Sequence, residues 1–438
     1  MRLPTFLLWA VLGSAGAPVE AQQRLSPKER DAALQAITTA FKEGYVFPEM
    51  RPKIVKELDR MRRSGRCDVD DPIVFADRIT EGLRSVSNDR HLSLRVDPAA
   101  YAAALAAPDS DAGEEAWFRR QALRDHHGLV EMKILPGNLR YLKIAGFSWV
   151  NDETGAAYDD ALRFLKDGDA IIIDLRNNGG GSHAAVRYLV SHFMEPDTLE
   201  LTFLEGSETP SQSRTLEHLP VGRVKGKPLY VLIDGQTASA AEAFAYDVQQ
   251  FKLGQLVGAR TVGAANNNKQ LPVAPGFMLS VSYGRPVHAV SHGNWEGTGI
   301  TPDVETPSAQ ALDAAQKHAL DRLSRSPAAT AEQRRDYRWA EVGIEARLHP
   351  VSVEPATLAT LTGHYRRSGP GAEPIQVVQR DDGALWFAFP RRPAARLSPL
   401  AQDVFAVEGY DALRVRLTGR TLEMLWRDEA APRVYPRE

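Results

Sequence analysis

The stretch Leu229-Tyr-Val-Leu-Ile-Asp234-Gly-Gln-Thr-Ala-Ser239-Ala-Ala-Glu-Ala-Phe-Ala-Tyr246 decides the fold prediction. Its first five residues are large and apolar, as in a buried strand, and the run stops at an Asp-Gly turn. An alanine-rich helical pattern follows, and Ser239 stands where that helix begins. The stretch therefore predicts a strand, a turn and a helix with a serine at the helix N-terminus.

A serine at this position has two interpretations. Serine often serves as the N-cap of a helix, which is a purely structural role. The same position also suits a nucleophile, because unpaired N–H groups and the helix dipole stabilise negative charge there. The stretch alone leaves the choice open for Ser239, and three other segments of the chain favour the nucleophile.

Strand and helix patterns alternate on both sides of this stretch. Strand-like runs and helical runs follow one another: strands at Leu139–Ile144, Ala170–Asp174, Leu229–Ile233 and Gln255–Gly258, and helices over 159–165, 184–193, 239–251 and 308–325. Such alternation predicts an α/β core with a mainly parallel or mixed sheet covered by helices. Functional residues gather at the carboxyl ends of the strands in such sheets. Ser239 and the turn Asn177-Asn-Gly-Gly-Gly181 both follow a predicted strand.

The pattern changes along the chain predict further parts. Three amphipathic helical stretches precede the core, residues 97–115 are rich in Ala, Asp and Pro, and short alternating strands fill the last part of the chain. We predict a signal peptide over 1–21, a helical N-terminal subdomain over 22–96, a linker or mobile segment over 97–128, the α/β core over 129–325, a second linker over 326–350, and a small β-barrel or sandwich over 351–438.

Composition and the amino terminus indicate an exported globular protein. The 438 residues have a net charge of −3 and are 43% hydrophobic, which gives no reason to expect a nucleic-acid partner. The first residues combine one arginine, a short apolar run and small residues, as signal peptides do, and the run is too short to remain as a membrane anchor. Cys67 is the single cysteine, so no intramolecular disulfide can form, and its polar neighbours predict a loop. We expect a periplasmic or extracellular location.

Three blocks of the chain stand out, in this order: Asp174-Leu-Arg-Asn-Asn-Gly-Gly-Gly181, Thr237-Ala-Ser-Ala-Ala-Glu242 and Asn294-Trp-Glu-Gly-Thr-Gly-Ile-Thr-Pro-Asp303. Together they resemble the signature blocks of the S41 peptidases. This family includes the tail-specific proteases, tricorn protease and the interphotoreceptor retinoid-binding protein repeats. The resemblance covers roughly residues 88–303. It implies a ClpP/crotonase-like core that hydrolyses peptide bonds through an acyl-enzyme, with a peptide or protein substrate and with neither cofactor nor metal.

The family contains two catalytic arrangements, and the sequence discriminates between them. The C-terminal-processing branch pairs its serine with a lysine in a Thr-Phe-Gly-Lys-Gly block, which here reads Thr261-Val-Gly-Ala264-Ala. Lys269 follows in a polar run and is expected to be a solvated loop residue. The chain also lacks a recognisable PDZ domain before the core. Both departures exclude a close tail-specific protease.

The tricorn and retinoid-binding-like branch uses histidine as the base, and Asp89-Arg-His91-Leu resembles its histidine block. The resemblance implies Ser239 as nucleophile, His91 as general base and acid, and Glu296 as the carboxylate that orients the histidine. The chemistry agrees, because a serine hydroxyl needs an adjacent base and that base needs a carboxylate partner. Arg90 stands where tricorn protease has a serine, so that serine's role is not transferred.

The oxyanion hole is expected from the backbone N–H of Ala240 and from the turn at Gly179 and Gly180, because glycine lets backbone approach a substrate closely. Glu242 is expected to be structural. The remaining histidines considered are expected to be surface or hydrogen-bonded residues: His126, His127, His183, His288 and His292.

The predicted function is an exported serine peptidase. Two alternatives stay open: a noncatalytic module that binds apolar ligands or peptides on the same fold, and an esterase or amidase that uses the same triad on other substrates. The oligomeric state is not predicted.

Overall fold

The computed structural model describes residues 24–106, 111–205, 209–367 and 373–438. The predicted signal peptide over 1–21 lies outside the described residues. The described residues form two compact units: the first contains 24–87, 92–106 and Lys269–Val281, and the second contains Asn88–His91, 111–205, 209–268, 282–367 and 373–438. None of the described helices combines the length and the apolarity needed to cross a bilayer.

The elements are numbered in chain order. The helices are α1 (Pro27–Gly44), α2 (Arg51–Arg63), α3 (Pro72–Ser87), α4 (Pro98–Ala106), α5 (Asp111–Arg124), α6 (Asn151–Lys166), α7 (His183–Ser191), α8 (Ala240–Gln250), α9 (Ala311–Ser324), α10 (Ala331–Leu348) and α11 (Pro355–Thr360). The strands are β1 (Ser93–Val96), β2 (Leu129–Leu135), β3 (Leu139–Ile144), β4 (Ala170–Asp174), β5 (Leu199–Glu205), β6 (Ser211–Arg214), β7 (Leu229–Ile233), β8 (Gln255–Gly258), β9 (Asn267–Val273), β10 (Phe277–His288), β11 (Val304–Glu305), β12 (Gly363–Tyr365), β13 (Ile375–Gln379), β14 (Leu385–Ala388), β15 (Ala395–Pro399), β16 (Val404–Val407), β17 (Leu413–Leu417), β18 (Thr421–Trp426) and β19 (Arg433–Pro436).

The first unit is built on the three amphipathic helices that the sequence predicts. The helix α1 begins at Ser26, whose hydroxyl accepts from Glu29 N while the Glu29 carboxylate accepts from Ser26 N, a capping box. The apolar faces of α1, α2 and α3 form one core, into which Phe41 and Phe75 are fully buried. Cys67 lies in the predicted loop between α2 and α3, but its side chain is buried in the same core.

The second unit contains a six-stranded sheet in the order β11-β8-β7-β4-β3-β2. All neighbours are parallel except β2, which runs antiparallel to β3, so the predicted mixed sheet is confirmed. Side chains of β7 alternate between two cores: Val231 faces the helices α6, α7 and α8, whereas Tyr230 faces α9 and α10. Because both faces are covered, the strand reads as the unbroken apolar run seen in the sequence.

A second, smaller sheet in this unit lies near the site. The end of β10 pairs antiparallel with β5, and β5 pairs antiparallel with β6. Gly284 stands opposite Glu205, and Leu199 stands opposite Arg214. These strands were not predicted from the sequence; β6, Ser-Gln-Ser-Arg, has no apolar residue that would mark it as a strand.

The C-terminal region is an eight-stranded antiparallel sheet in sequence order from β12 to β19. A bridge between Tyr365 and Arg437 and a hydrogen bond of 2.9 Å from Glu438 N to His364 O bring the last strand against the first. The sheet is therefore nearly a closed barrel, and the all-β prediction for this region is confirmed.

Two segments that the sequence analysis treats as linkers contain helices. Residues 97–128 include α4 and α5, and residues 326–350 include α10. Alanine is the strongest helix former, so an alanine-rich composition is compatible with a helix as much as with a linker. The start of α10 carries a capping box between Thr330 and Gln333, and Tyr337 packs into the core under the sheet. The predicted core over 129–325 is also interrupted, because residues 269–281 belong to the first unit.

Candidate active site

The turn between β7 and α8 places Ser239 in a strained backbone conformation. Its φ of 53° and ψ of −120° lie in a region that glycine adopts far more readily than serine. Such a conformation costs on the order of 1–3 kcal/mol and persists only where the surroundings hold it in place. A sharp strand-to-helix turn of this kind is how other hydrolases expose a nucleophilic serine.

Glu242 holds this turn from one helical turn further on. Its fully buried carboxylate accepts hydrogen bonds from Ser239 N at 3.0 Å, Gly263 N at 2.7 Å and Ala264 N at 2.8 Å, and from the Thr261 hydroxyl. Burial raises the pKa of Glu242, and these four donors offset part of that rise. Glu242 is therefore a structural anchor, as its position in the sequence indicated.

Asn178 ties the glycine turn after β4 to its neighbours. This fully buried side chain donates from Nδ2 to Ile144 O at 2.9 Å, at the end of β3. The backbone carbonyl of Asn178 accepts from Ala238 N at 3.0 Å, next to Ser239. The carboxyl ends of β3, β4 and β7 are thereby joined, at the edge where the sequence predicted a site.

Gly180 lies directly against the nucleophile turn. Its φ is +106°, and a Cβ added there would lie 2.7 Å from Ser239 Cβ and 2.9 Å from Ala240 N. Close approach and positive φ both require glycine here. The Gly180 N–H donates to Asn178 Oδ1 at 2.8 Å, so its predicted role as an oxyanion donor is replaced by this steric one. The Gly179 and Ala240 N–H groups have no acceptor among the described residues.

His91 and Glu296, 205 positions apart in the chain, lie together. The His91 Nδ1 is 3.6 Å from Glu296 Oε2, and both side chains are about nine-tenths buried, at 11% and 12% exposure. The Glu296 carboxylate also accepts from Arg90 N at 2.9 Å, Ala265 N at 2.6 Å and Asn266 N at 2.9 Å. Burial raises the pKa of Glu296, but His91 and the three N–H groups outweigh it and hold the pKa below its ordinary value. The carboxylate is thus ionised beside the histidine.

Asp89 fixes the loop that carries His91 and was not singled out as a site residue. It is 1% exposed, and its Oδ1 accepts from His91 N at 2.9 Å while Oδ2 accepts from Asn266 Nδ2 at 3.3 Å. Burial and then the Glu296 charge raise the pKa of Asp89. Its place two residues before the histidine, in the quoted Asp-Arg-His block, was the signal available in the sequence.

Asp89, His91 and Glu296 are also the described residues that could hold a metal ion, since one ligand atom from each lies within 4.8 Å of the others. The backbone N–H groups that point at both carboxylates compete with a cation for the same oxygens. The arrangement fits a histidine oriented by carboxylates better than a metal site.

The segment 263–266 connects the two halves of the site. Its first two N–H groups bind Glu242, the anchor of Ser239, and its last two bind Glu296, the partner of His91. No hydrogen bond joins the Ser239 hydroxyl to the His91 ring in the part of the chain that is described. Catalytic hydrogen bonds are often longer without substrate. The three residues predicted as the triad therefore belong to one connected network.

The lysine position of the other branch is occupied by a packed residue. Ala264 is 6% exposed, and its carbonyl accepts from Trp295 Nε1 at 3.1 Å. Lys269 is exposed on β9, in the first unit, so its expected exposure holds although it lies in a strand rather than a loop.

A cleft of about 230 Å³ opens beside the nucleophile. Ser239 and Gly181 line it with aromatic and amide side chains, which include Phe203, Trp295 and Asn266. His183 also lines this cleft, and it is hydrogen-bonded to Ser213, as expected of a satisfied histidine. His288 is likewise hydrogen-bonded, and it is fully buried.

In comparisons with known proteins, the central part of the chain matches a protein family and several of its members. Residues 138–306 match the model of peptidase family S41, a range that includes Ser239 and Glu296 but not His91. The "Probable CtpA-like serine protease" of Staphylococcus aureus (strain N315) is 26% identical over 167 residues, which cover 37% of this chain and 33% of that protein. The "Carboxy-terminal processing protease CtpB" of Bacillus subtilis (strain 168) is 26% identical over 178 residues, covering 40% and 35%.

Among solved structures, the photosystem II D1 C-terminal processing protease aligns with a TM-score of 0.43 and 16% identity, over 65% of this chain and 94% of that one. The sequence matches to the Staphylococcus aureus and Bacillus subtilis proteins each span about a third of the length of those two curated relatives. The family match and the two curated relatives support a peptidase of family S41 in general.

Proposed function

We propose that this protein is an exported serine peptidase in which Ser239 is the nucleophile, His91 the general base and acid, and Glu296 the orienting carboxylate. The observation that supports this proposal most is the set of hydrogen bonds from segment 263–266. Its consecutive backbone N–H groups donate first to Glu242, which holds the strained Ser239 turn, and then to Glu296, the carboxylate beside His91. The substrate is a peptide or protein, and the segment 1–21 directs export.

The chemistry follows from these positions. Ser239 Oγ attacks the scissile carbonyl carbon while His91 takes the hydroxyl proton, and the Ala240 and Gly179 N–H groups donate to the oxyanion. His91 then gives its proton to the leaving amine as the C–N bond breaks. Water attacks the acyl-enzyme, His91 accepts the water's proton and returns a proton to Ser239 Oγ as the acid product leaves. Glu296 stabilises the imidazolium in both halves.

We propose that the site belongs to the histidine-dependent branch of the family. Ala264 is packed at the position where the other branch has its lysine, and an ionised carboxylate stands beside His91 instead. A buried carboxylate next to imidazole has its purpose in stabilising the protonated ring.

The test is hydrolysis of fluorescein-labelled casein by the mature protein. We expect Ser239→Ala and His91→Ala each to lower turnover by about 10³-fold or more, and Lys269→Ala, the matched control, to stay within about twofold. Loss of activity in Lys269→Ala with His91→Ala still active would overturn the assignment of the base. Turnover of small esters without casein hydrolysis would favour the esterase alternative, and no turnover at all would favour the binding module.

A further inference from the structure

His183 is held rigidly at the edge of the cleft that contains Ser239. It is the first residue of α7, and its side chain is 28% exposed. The ring packs edge-on against Phe203 with 5.1 Å between centroids, and its Nε2 lies 2.9 Å from Ser213 Oγ on β6. Two independent contacts therefore fix the orientation of this ring.

The hydrogen bonds assign the proton on this ring. The Ser213 hydroxyl has one proton, which it donates to Glu200 Oε2 at 3.0 Å. Ser213 Oγ must therefore accept from His183, so Nε2 carries the ring proton. Burial lowers the pKa of His183, and Arg187 lowers it further against the opposing charge of Glu200, so the ring is neutral. Nδ1 is then an acceptor, and it has no partner among the described residues.

The chain of polar groups continues behind the cleft to a pair of buried acids. His288 Nδ1 accepts from Val290 N at 3.1 Å, so its Nε2 carries the proton and donates to Asp247 Oδ1 at 3.2 Å. Glu200 Oε1 and Asp247 Oδ2 are both buried, and neither accepts from a donor among the described residues. The two carboxyl groups interact, and a proton held by one of them and donated to the other would satisfy both.

The acid pair titrates near neutrality. Burial raises the pKa of Asp247 to about 8. Burial, followed by the charge of Asp247, raises the pKa of Glu200 to about 8. Both shifts favour the protonated acid, so the pair holds at least one proton at neutral pH. The donors from Ser213 and His288 both point toward the pair. Because the Ser213 hydroxyl donates its proton toward this acid pair, its oxygen is left to accept a hydrogen bond from His183.

We propose that His183 is a substrate-binding residue whose Nδ1 accepts a hydrogen bond from a backbone N–H of a peptide lying beside Ser239. Ser213, Glu200 and Asp247 are positioning residues for that ring. The inference rests on the proposed function and adds a substrate preference to it. The cleft selects peptides that present a backbone amide N–H to His183 Nδ1, a group that an ester-linked chain lacks. A neutral hydrogen bond of this kind changes binding by about five- to tenfold.

The experiment separates the two ring nitrogens. His183→Asn keeps an acceptor near the position of Nδ1, whereas His183→Gln keeps a donor near Nε2 and loses that acceptor. Affinity for fluorescein-labelled casein is measured by anisotropy in the Ser239→Ala background, and KM, kcat and the rate of fluorophosphonate labelling are measured with Ser239 present. His292→Gln, at an exposed histidine, is the matched control.

We expect His183→Gln to weaken casein binding and raise KM about five- to tenfold, and His183→Asn to recover most of that loss, with kcat and labelling changed less than twofold in both. Ser213→Ala should weaken binding in the same direction by releasing the ring. Equal binding by the Gln variant and the control, or loss of labelling in the Asn and Gln variants alike, would overturn the proposal. If the unmodified protein neither hydrolyses casein nor is labelled, the proposed function fails, and the affinities in the Ser239→Ala background still decide the role of His183.

Discussion

Replacing Gly180 by alanine tests whether the glycine turn and the nucleophile turn are in direct contact. The added methyl group would lie 2.7 Å from Ser239 Cβ, and 2.9 Å from both Ala238 O and Ala240 N. Two of these three neighbours are backbone atoms, which cannot swing away as the end of a flexible side chain can. The turn must therefore open by several tenths of an ångström, and it is the turn that carries the nucleophile.

The magnitude follows from two contributions. A non-glycine residue at a φ of +106° carries strain of about 1–3 kcal/mol. Overpacking against fixed neighbours adds about 1–3 kcal/mol. We expect Gly180→Ala to lower the free energy of unfolding by about 2–6 kcal/mol. We also expect it to slow Ser239 labelling by about 100-fold, because the reacting atoms are displaced.

Urea denaturation and the rate of fluorophosphonate labelling measure the two effects, with Gly44→Ala as the control. Gly44 ends α1 with nothing within 4 Å of an added Cβ and without a positive φ, so this variant should change stability by less than about 1 kcal/mol. Gly180→Ala with unchanged stability and unchanged labelling would refute the close contact between the two turns.

Three further substitutions test separate parts of the network. Glu242→Gln places an amide NH₂ group among four hydrogen-bond donors. We therefore expect urea denaturation to show a free energy of unfolding lower by about 2–4 kcal/mol. An unchanged urea midpoint would contradict the anchoring role of Glu242. Glu296→Gln removes the charge that stabilises imidazolium, so kcat for casein should fall by about 100-fold or more, whereas turnover equal to the unmodified protein would exclude Glu296 as the partner of His91. Burial raises the pKa of Asp247 to about 8 in the folded protein, whereas in the unfolded chain it is about 4. Between these two pH values the folded protein holds a proton on Asp247 that the unfolded chain has lost. The free energy of unfolding should therefore fall by up to about 1.4 kcal/mol per pH unit as the pH rises from about 4 to about 8. Asp247→Asn should reduce this slope in urea titrations at several pH values, while Glu200, whose pKa burial also raises, retains part of it. A slope equal to that of the unmodified protein would assign it to other groups.

The parts of the fold that the sequence predicted are those whose side-chain pattern is local. The strands β4 and β7 are buried on both faces and read as unbroken apolar runs, and the Asp-Gly turn and the alanine-rich run mark α8. The barrel strands alternate in the usual way for one buried face. These features need no knowledge of distant residues.

The parts that escaped prediction depend on pairing over long distances. Residues 269–281 form strands whose pattern does not reveal that they belong with the N-terminal helices. Glu200 and Asp247 look like ordinary solvent-facing charges on a strand and a helix, yet both are fully buried. Only the folded chain brings them to Ser213 and His288, so no local pattern could have placed His183 at the end of a polar chain.

The candidate site likewise contains one part that the local sequence predicted and one part that it did not. The strand–turn–helix with Ser239 could be derived from residue types, whereas the roles of His91 and Glu296 came from the family resemblance. Their contact at 3.6 Å is consistent with those roles. The steric role of Gly180 was hidden, because a tight turn and an oxyanion donor call for the same residue.

The most direct test of the central claim is the site of covalent labelling by a fluorophosphonate, mapped by mass spectrometry of the digested mature protein. We predict a single modified peptide containing Ser239, absent in Ser239→Ala and formed at least about 100-fold more slowly in His91→Ala, since the base is then missing. Modification at another residue, or equal labelling of His91→Ala and the unmodified protein, would contradict a serine at position 239 activated by His91.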